Sequence, residues 1–182
     1  MPVRLDELES LADEVARLAA ARSERIVLAE SCTAGLVARL LSRVPGASEW
    51  FCGSLVVYRN ASKTAWLGVS AEMLADPAIG PVSAETAAAM TAGALRVTPE
   101  ATLAASVTGH LGPNAPIGLD GVIYVGVERG GASGGSAGRD VRRFALDAVL
   151  REDSACGTLR LQRQQEAAGA VLNRLSEALA SA

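Results

Sequence analysis

Lysine and histidine are almost missing from this 182-residue chain. Of its seventeen lysine and arginine side chains only Lys63 is lysine, and His110 is the single histidine. With one histidine, three cysteines (Cys32, Cys52, Cys156) and no cysteine pair at ligand spacing, a dedicated metal site is not expected. The sparse, odd-numbered cysteines argue against a disulfide framework and for reduced thiols in a cytoplasmic protein. Aromatic residues make up only 3% and the net charge is −3, with no basic stripe, so nucleic acid is not an expected partner. No apolar run is long enough to cross a bilayer. Arg4, Asp6, Glu7, Glu9, Asp13 and Glu14 interrupt the leading leucines, which reads against a secretory leader and against a membrane partner.

The 49% hydrophobic content is enough for one compact domain over 1–182. Leu5, Leu8, Leu11, Val15 and Leu18 recur at helical spacing. Short apolar runs at 25–29, 50–58, 101–107, 121–128 and 142–150 read as five strands. Helices are expected after the turn at 31–35, ending before Pro45-Gly46, then over 60–67, after N-caps at Ser70 and Ser83 (the latter running to Val97), and from Leu161 onward. Residues 130–138, rich in glycine and serine, read as a surface loop. Strands alternating with helices predict an α/β fold with a mostly parallel sheet, the last two strands forming one antiparallel pair. In such sheets ligands sit beyond the carboxyl ends of the parallel strands.

Three segments leave strands at those ends: Glu30–Gly35, Tyr58–Lys63 and Thr108–Pro113. Arginine keeps its proton in proteins, whereas a desolvated lysine loses it, so the one lysine is a candidate general base. Ser31 is its candidate nucleophile, set between a strand and a helix where the amides of Cys32, Thr33 and Ala34 are free to hold an oxyanion or a phosphate. Simple N-capping is the other role open to Ser31. Tyr58 is placed to relay a proton or orient the amine. Ser48 is a rival nucleophile, although a straight strand would put it about 30 Å from Tyr58; a bulge at Gly53 or a site shared between subunits would bring it closer. Cys32 with His110 is the alternative pair, a thiol at a helix start being acidic. Cys32, Thr33, Gly35, Asn60, Thr108, Gly109 and Gly112 are expected to line the substrate site.

The ordered motifs AESCTAGLVARLL, PGASEWFCGSLVVYRNASK, LGVS, PVSAETAAAMTAGAL and TGHLGP resemble the C-terminal domain of the competence-damage-inducible protein CinA, over about residues 5–130. The resemblance implies a three-layer α/β/α sandwich with a five-stranded mixed, mostly parallel sheet. It implies hydrolysis of the carboxamide of a small-molecule nucleotide, nicotinamide mononucleotide, without metal or organic cofactor. It carries the family's AESCT serine to Ser31, the serine of its PGSS run to Ser48, and its YxNxxK motif to Tyr58, Asn60 and Lys63. Three segments depart from the family pattern: His110-Leu111 within TGHLGP, Gly118–Gly121, and Cys156–Arg160. These departures bear on substrate identity more than on reaction class. The apolar-rich composition makes a homo-oligomer the expected assembly.

Overall fold

The computed structural model describes residues 3–130, 136–148 and 156–181. Its centre is a five-stranded sheet: β1 (Ile26–Glu30), β2 (Phe51–Val56), β3 (Leu103–Gly109), β4 (Val122–Gly130) and β5 (Ser136–Ala145), in the order β2-β1-β3-β4-β5. β1 pairs in parallel with both β2 and β3, while β4 runs antiparallel to β3 and β5. Four of the five strands therefore point the same way.

β1 is buried along its whole length, which is why it reads as an unbroken apolar run. Its side chains alternate between two cores. Ile26 and Leu28 face helices α1 (Leu5–Arg22), α2 (Leu36–Ser42) and α6 (Cys156–Ala180), packing among Leu8, Leu40 and Leu172. Val27 and Ala29 face α3 (Asn60–Leu67), α4 (Ala71–Ala75) and α5 (Ala84–Val97), packing among Leu67, Leu74 and Met90. The result is an α/β/α sandwich. No helix among the described residues is long and apolar enough to cross a membrane.

Ser70 and Ser83 cap α4 and α5, each hydroxyl accepting a backbone N–H three residues on. α3, the helix that carries Lys63, is held tightly against α5 because Gly93 has no side chain. A β-carbon there would lie 2.3 Å from the Leu67 carbonyl oxygen. Arg96 donates to that same carbonyl at 2.7 Å and ties off the end of α3.

The structure differs from the sequence expectation in three places. There are two antiparallel ladders, β3–β4 and β4–β5, not one. β5 begins at Ser136, not 142, and residues 149–150 lie outside the described residues. β5 is an edge strand rich in charge, Arg139-Asp140-Val141-Arg142-Arg143, so apolar patterning does not reveal its start. Ion pairs hold it instead: Arg139 with Glu128, and Asp140 with Arg174 of α6. The closing helix starts at Cys156, five residues before the first apolar position that announces it.

Candidate active site

The parallel order β2-β1-β3 brings three strand ends to one edge of the sheet. Ser31 follows the last residue of β1. The chain leaves β2 alongside it, with the Val57 amide donating to the Glu30 carbonyl at 2.8 Å, and turns into α3. Lys63 sits in the first turn of that helix on its inner side. Lys63 Nζ and Ser31 Oγ are 3.2 Å apart and buried, the lysine 2% and the serine 7% exposed. No carboxylate pairs with Lys63 among the described residues. Burial lowers its pKa below the usual lysine value, opposed in part by the Cys32 sulfur. A buried ammonium without a counter-charge is costly, which is the physical reason for the downward shift.

The turn after Ser31 is organised by Glu30. Its Oε2 accepts from the Thr33 hydroxyl at 2.8 Å and from the amides of Gly35 and Val37 at 3.0 and 3.2 Å. Its Oε1 accepts from the Ala38 amide at 2.9 Å and the Ser54 hydroxyl at 3.1 Å. This carboxylate supplies the cap that α2 otherwise lacks, because its N-cap, Gly35, has no side-chain acceptor. The amides of Gly35, Val37 and Ala38 at the start of α2 are therefore spent on Glu30. The Ala34 amide is spent too, on the Ser31 carbonyl at 3.1 Å. The amides of Cys32 and Thr33 have no oxygen acceptor among the described residues, the Cys32 amide facing only its own sulfur. Ala34 and Gly35 both take left-handed backbone (φ 53° and 94°), which lets the chain turn sharply from Ser31 into α2.

Ser31 and Lys63 open into a cavity of about 270 Å³. Cys32, Tyr58, Asn60, Thr108, Gly109 and Gly112 also line it, together with His110, Leu111 and Arg160. Thr108 is fixed by donating to the Pro81 carbonyl at 2.6 Å. Gly109 has no room for a β-carbon, which would come within 2.7 Å of the Val122 carbonyl. Thr33 and Gly35 are not in the lining; both are bound to Glu30 instead. Tyr58 is 54% exposed, and its hydroxyl accepts from Arg160 at 2.5 Å; it has no hydrogen bond to Ser31 or Lys63. Burial raises the Cys32 thiol to about 12 and lowers the His110 imidazole, so the two do not form a thiolate–imidazolium pair.

Residues 8–148 match the family model described as the CinA C-terminal domain. This chain belongs to the CinA C-terminal domain family. Among its relatives, a CinA-like protein of Anaeromyxobacter sp. (strain K) is 44% identical over 149 residues, 81% of this chain and 35% of the relative. A putative competence-damage inducible protein of Moorella thermoacetica is 39% identical over 128 residues, 68% of this chain and 29% of the relative. The chain thus spans about a third of the length of these relatives. Among solved structures, competence damage-inducible protein A of Klebsiella pneumoniae superposes with a TM-score of 0.78 at 27% identity, covering 95% of this chain and 97% of that one. Competence/damage inducible protein CihA of Agrobacterium tumefaciens gives 0.74 at 27% identity, covering 95% and 99%.

In this CinA-family chain Ser48 stands apart from the other candidates. It lies exposed in a short 3₁₀ turn (Ala47–Glu49) that precedes β2, at the end of the sheet opposite Ser31. Five residues of parallel strand, about 16 Å, intervene. A bulge does occur where β2 meets β1 at Ile26/Val27, but it bends the strand without turning Ser48 round to the other edge. Three residues of the site escape sequence reasoning. Glu30 is recognisable in retrospect as an acid just before a helix whose start offers no capping side chain. Arg160 and Gln164 come from α6, where the family motif is blurred.

Proposed function

We propose that this chain is a Ser/Lys amidohydrolase that converts nicotinamide mononucleotide to nicotinate mononucleotide and ammonia. The observation that carries the reading is the 3.2 Å approach of a buried, carboxylate-free lysine to a serine at a strand end. Neutral Lys63 takes the proton of Ser31 as its oxygen attacks the carboxamide carbon. The amide of Cys32, a residue of the cavity wall, is bound to no oxygen acceptor and is the donor available to the oxyanion. The C–N bond then breaks, the leaving nitrogen takes the proton from Lys63, and ammonia departs. Water, deprotonated by the same amine, hydrolyses the acyl-serine and returns the proton to Ser31. Tyr58, tied to Arg160, lines the entrance and does not move the proton. The experiment is an ammonia-release assay with nicotinamide mononucleotide beside simple amides, using wild type and Lys63→Arg. Arginine keeps a long basic side chain but stays protonated and so cannot act as the base. Release from the nucleotide by wild type alone is the expected result; equal release by the variant refutes the dyad. An amidase for a different carboxamide is the second reading, favoured by the presence of His110 and Leu111 in the cavity wall.

A further inference from the structure

The sheet has two edges, and they are built differently. β5, on one side, carries Arg139, Asp140, Arg142 and Arg143, charges of the kind that keep an open strand from pairing with another chain. β2, on the other side, carries none. The nine residues from Trp50 to Tyr58 include no charged side chain and no proline. Most of β2 is half-buried, and Val56 and Tyr58 at its outgoing end stand 38% and 54% exposed. Among the described residues its backbone bonds run only to β1. The Val57 amide turns inward to Glu30, so by strand alternation Ser54 and Val56 turn their N–H and C=O groups outward, with no strand to meet them.

Two charges flank this stretch. Glu49 precedes Trp50 and Arg59 follows Tyr58, so each lies five residues from Ser54. They are the only charged residues between Arg43 and Lys63. Both are exposed, and neither has an ion pair or a side-chain hydrogen bond among the described residues.

An acid, an uncharged strand and a base, spaced evenly about one residue, complement a reversed copy of themselves. A two-fold axis through Ser54 lays β2 antiparallel to its counterpart. Ser54, with both backbone groups outward, then exchanges two hydrogen bonds with the partner subunit's Ser54. Glu49 of each copy comes beside Arg59 of the partner subunit, at both ends of the pairing. The bulge opposite Ile26/Val27 offsets the outer register by one residue, which two long side chains absorb.

We propose that the uncharged β2 edge binds a second copy of this chain, antiparallel about Ser54, so that the five strands of each copy join in one continuous sheet and the 47–49 turn of each copy stands at the cavity mouth of the other. Tyr58 and Asn60 line that mouth. Within one copy the Ala47–Glu49 turn lies at the far end of β2. Reversal of the strand brings the partner's turn level with residues 58–60, where it forms an outer wall made of backbone and of a glutamate held by Arg59. Ser48 stands in that wall, and its hydroxyl takes no part in the reaction at Ser31.

Sedimentation of the full chain over a concentration series tests the pairing. Wild type is expected at twice the 18.6 kDa of one chain. Glu49→Arg and Arg59→Glu each set like charges together at both ends of the pairing and should weaken the dimer about tenfold or more. The double variant, with the charges exchanged, should recover wild-type association, which also shows that neither change acts by unfolding the chain. Register is read by joining Glu49→Cys and Arg59→Cys in one chain. Within a copy these positions are about 30 Å apart along the strand, too far for a disulfide. Mild oxidation should therefore give a covalent dimer, whereas either cysteine variant alone should not. Monomer at every concentration, a dimer indifferent to both charge reversals, or a dimer whose paired cysteines fail to link would each overturn the proposal.

Discussion

The Glu30 carboxylate spans from the end of β1 to the first turn of α2, its two oxygens accepting from the amides of Gly35, Val37 and Ala38 and from the hydroxyls of Thr33 and Ser54. It is 1% exposed and directly precedes Ser31. The strand, the helix and Ser31 are thereby locked in one geometry. Glu30→Gln keeps the shape but turns one accepting oxygen into a donor that faces other donors. The variant is expected to lose about 3 kcal/mol of stability, the scale of charge-assisted hydrogen bonds broken in a buried setting. Urea denaturation measures this. Ammonia release should fall about tenfold or more through misplacement of Ser31. A variant as stable and as active as wild type would mean that Glu30 does not hold the turn.

Lys63 gives a pH signature in stability. Its folded pKa lies below the ordinary value near 10.5, so in the interval between the two the unfolded chain binds a proton that the folded chain does not. Stability therefore rises with pH across that interval, and the cost of the buried amine is greatest below it. Lys63→Met removes the titration while filling the same space. The variant should be more stable than wild type, by most at the acid end, with the advantage shrinking as pH climbs toward 10.5. His110 titrates in both proteins and cancels. Urea midpoints at several pH values measure the difference; a constant difference would mean that the lysine is charged in the folded protein.

Cys32 touches the cavity, but its thiol is held neutral up to about 12. Its part in the site is its backbone. Cys32→Ala should keep kcat/KM for ammonia release within about threefold of wild type, since the amide stays and only a neutral thiol goes. A hundredfold loss would return the nucleophile role to sulfur.

Much of this arrangement is legible in the sequence. Unbroken apolar runs mark β1 and β3, which are buried on both faces, a helical apolar period marks α1, and the Ser83 cap marks the start of α5. The single lysine and the strand-end serine stand out by residue type, and they meet in the structure at 3.2 Å. What was not legible has physical causes. β5 is held by side-chain charge pairs across to β4 and α6, so its start carries no apolar signal. Thr33 and Gly35, expected to line the substrate site, serve a buried acid with three backbone amides among its five partners, and amide pairing leaves no residue-type signature. The roles of Arg160 and Gln164 depend on how α6 lies across the strand ends, a relation between segments about a hundred residues apart.

The separation of Ser48 from Lys63 gives a simple control. Ser48→Ala, an exposed change at the far end of β2, should alter neither stability by more than about 0.5 kcal/mol nor the rate of ammonia release. Loss of activity in that variant would point to a site completed by a second copy of the chain.

The central claim is an acyl-enzyme on Ser31 formed with Lys63 as base, and hydroxylamine trapping tests it most directly. An acyl-serine partitions between water and hydroxylamine, so added hydroxylamine should divert the acid product to the hydroxamate, while the Ser31→Ala and Lys63→Arg variants give neither product. Turnover of nicotinamide mononucleotide with no hydroxamate at any hydroxylamine concentration, or hydroxamate formed equally well by Ser31→Ala, would contradict it.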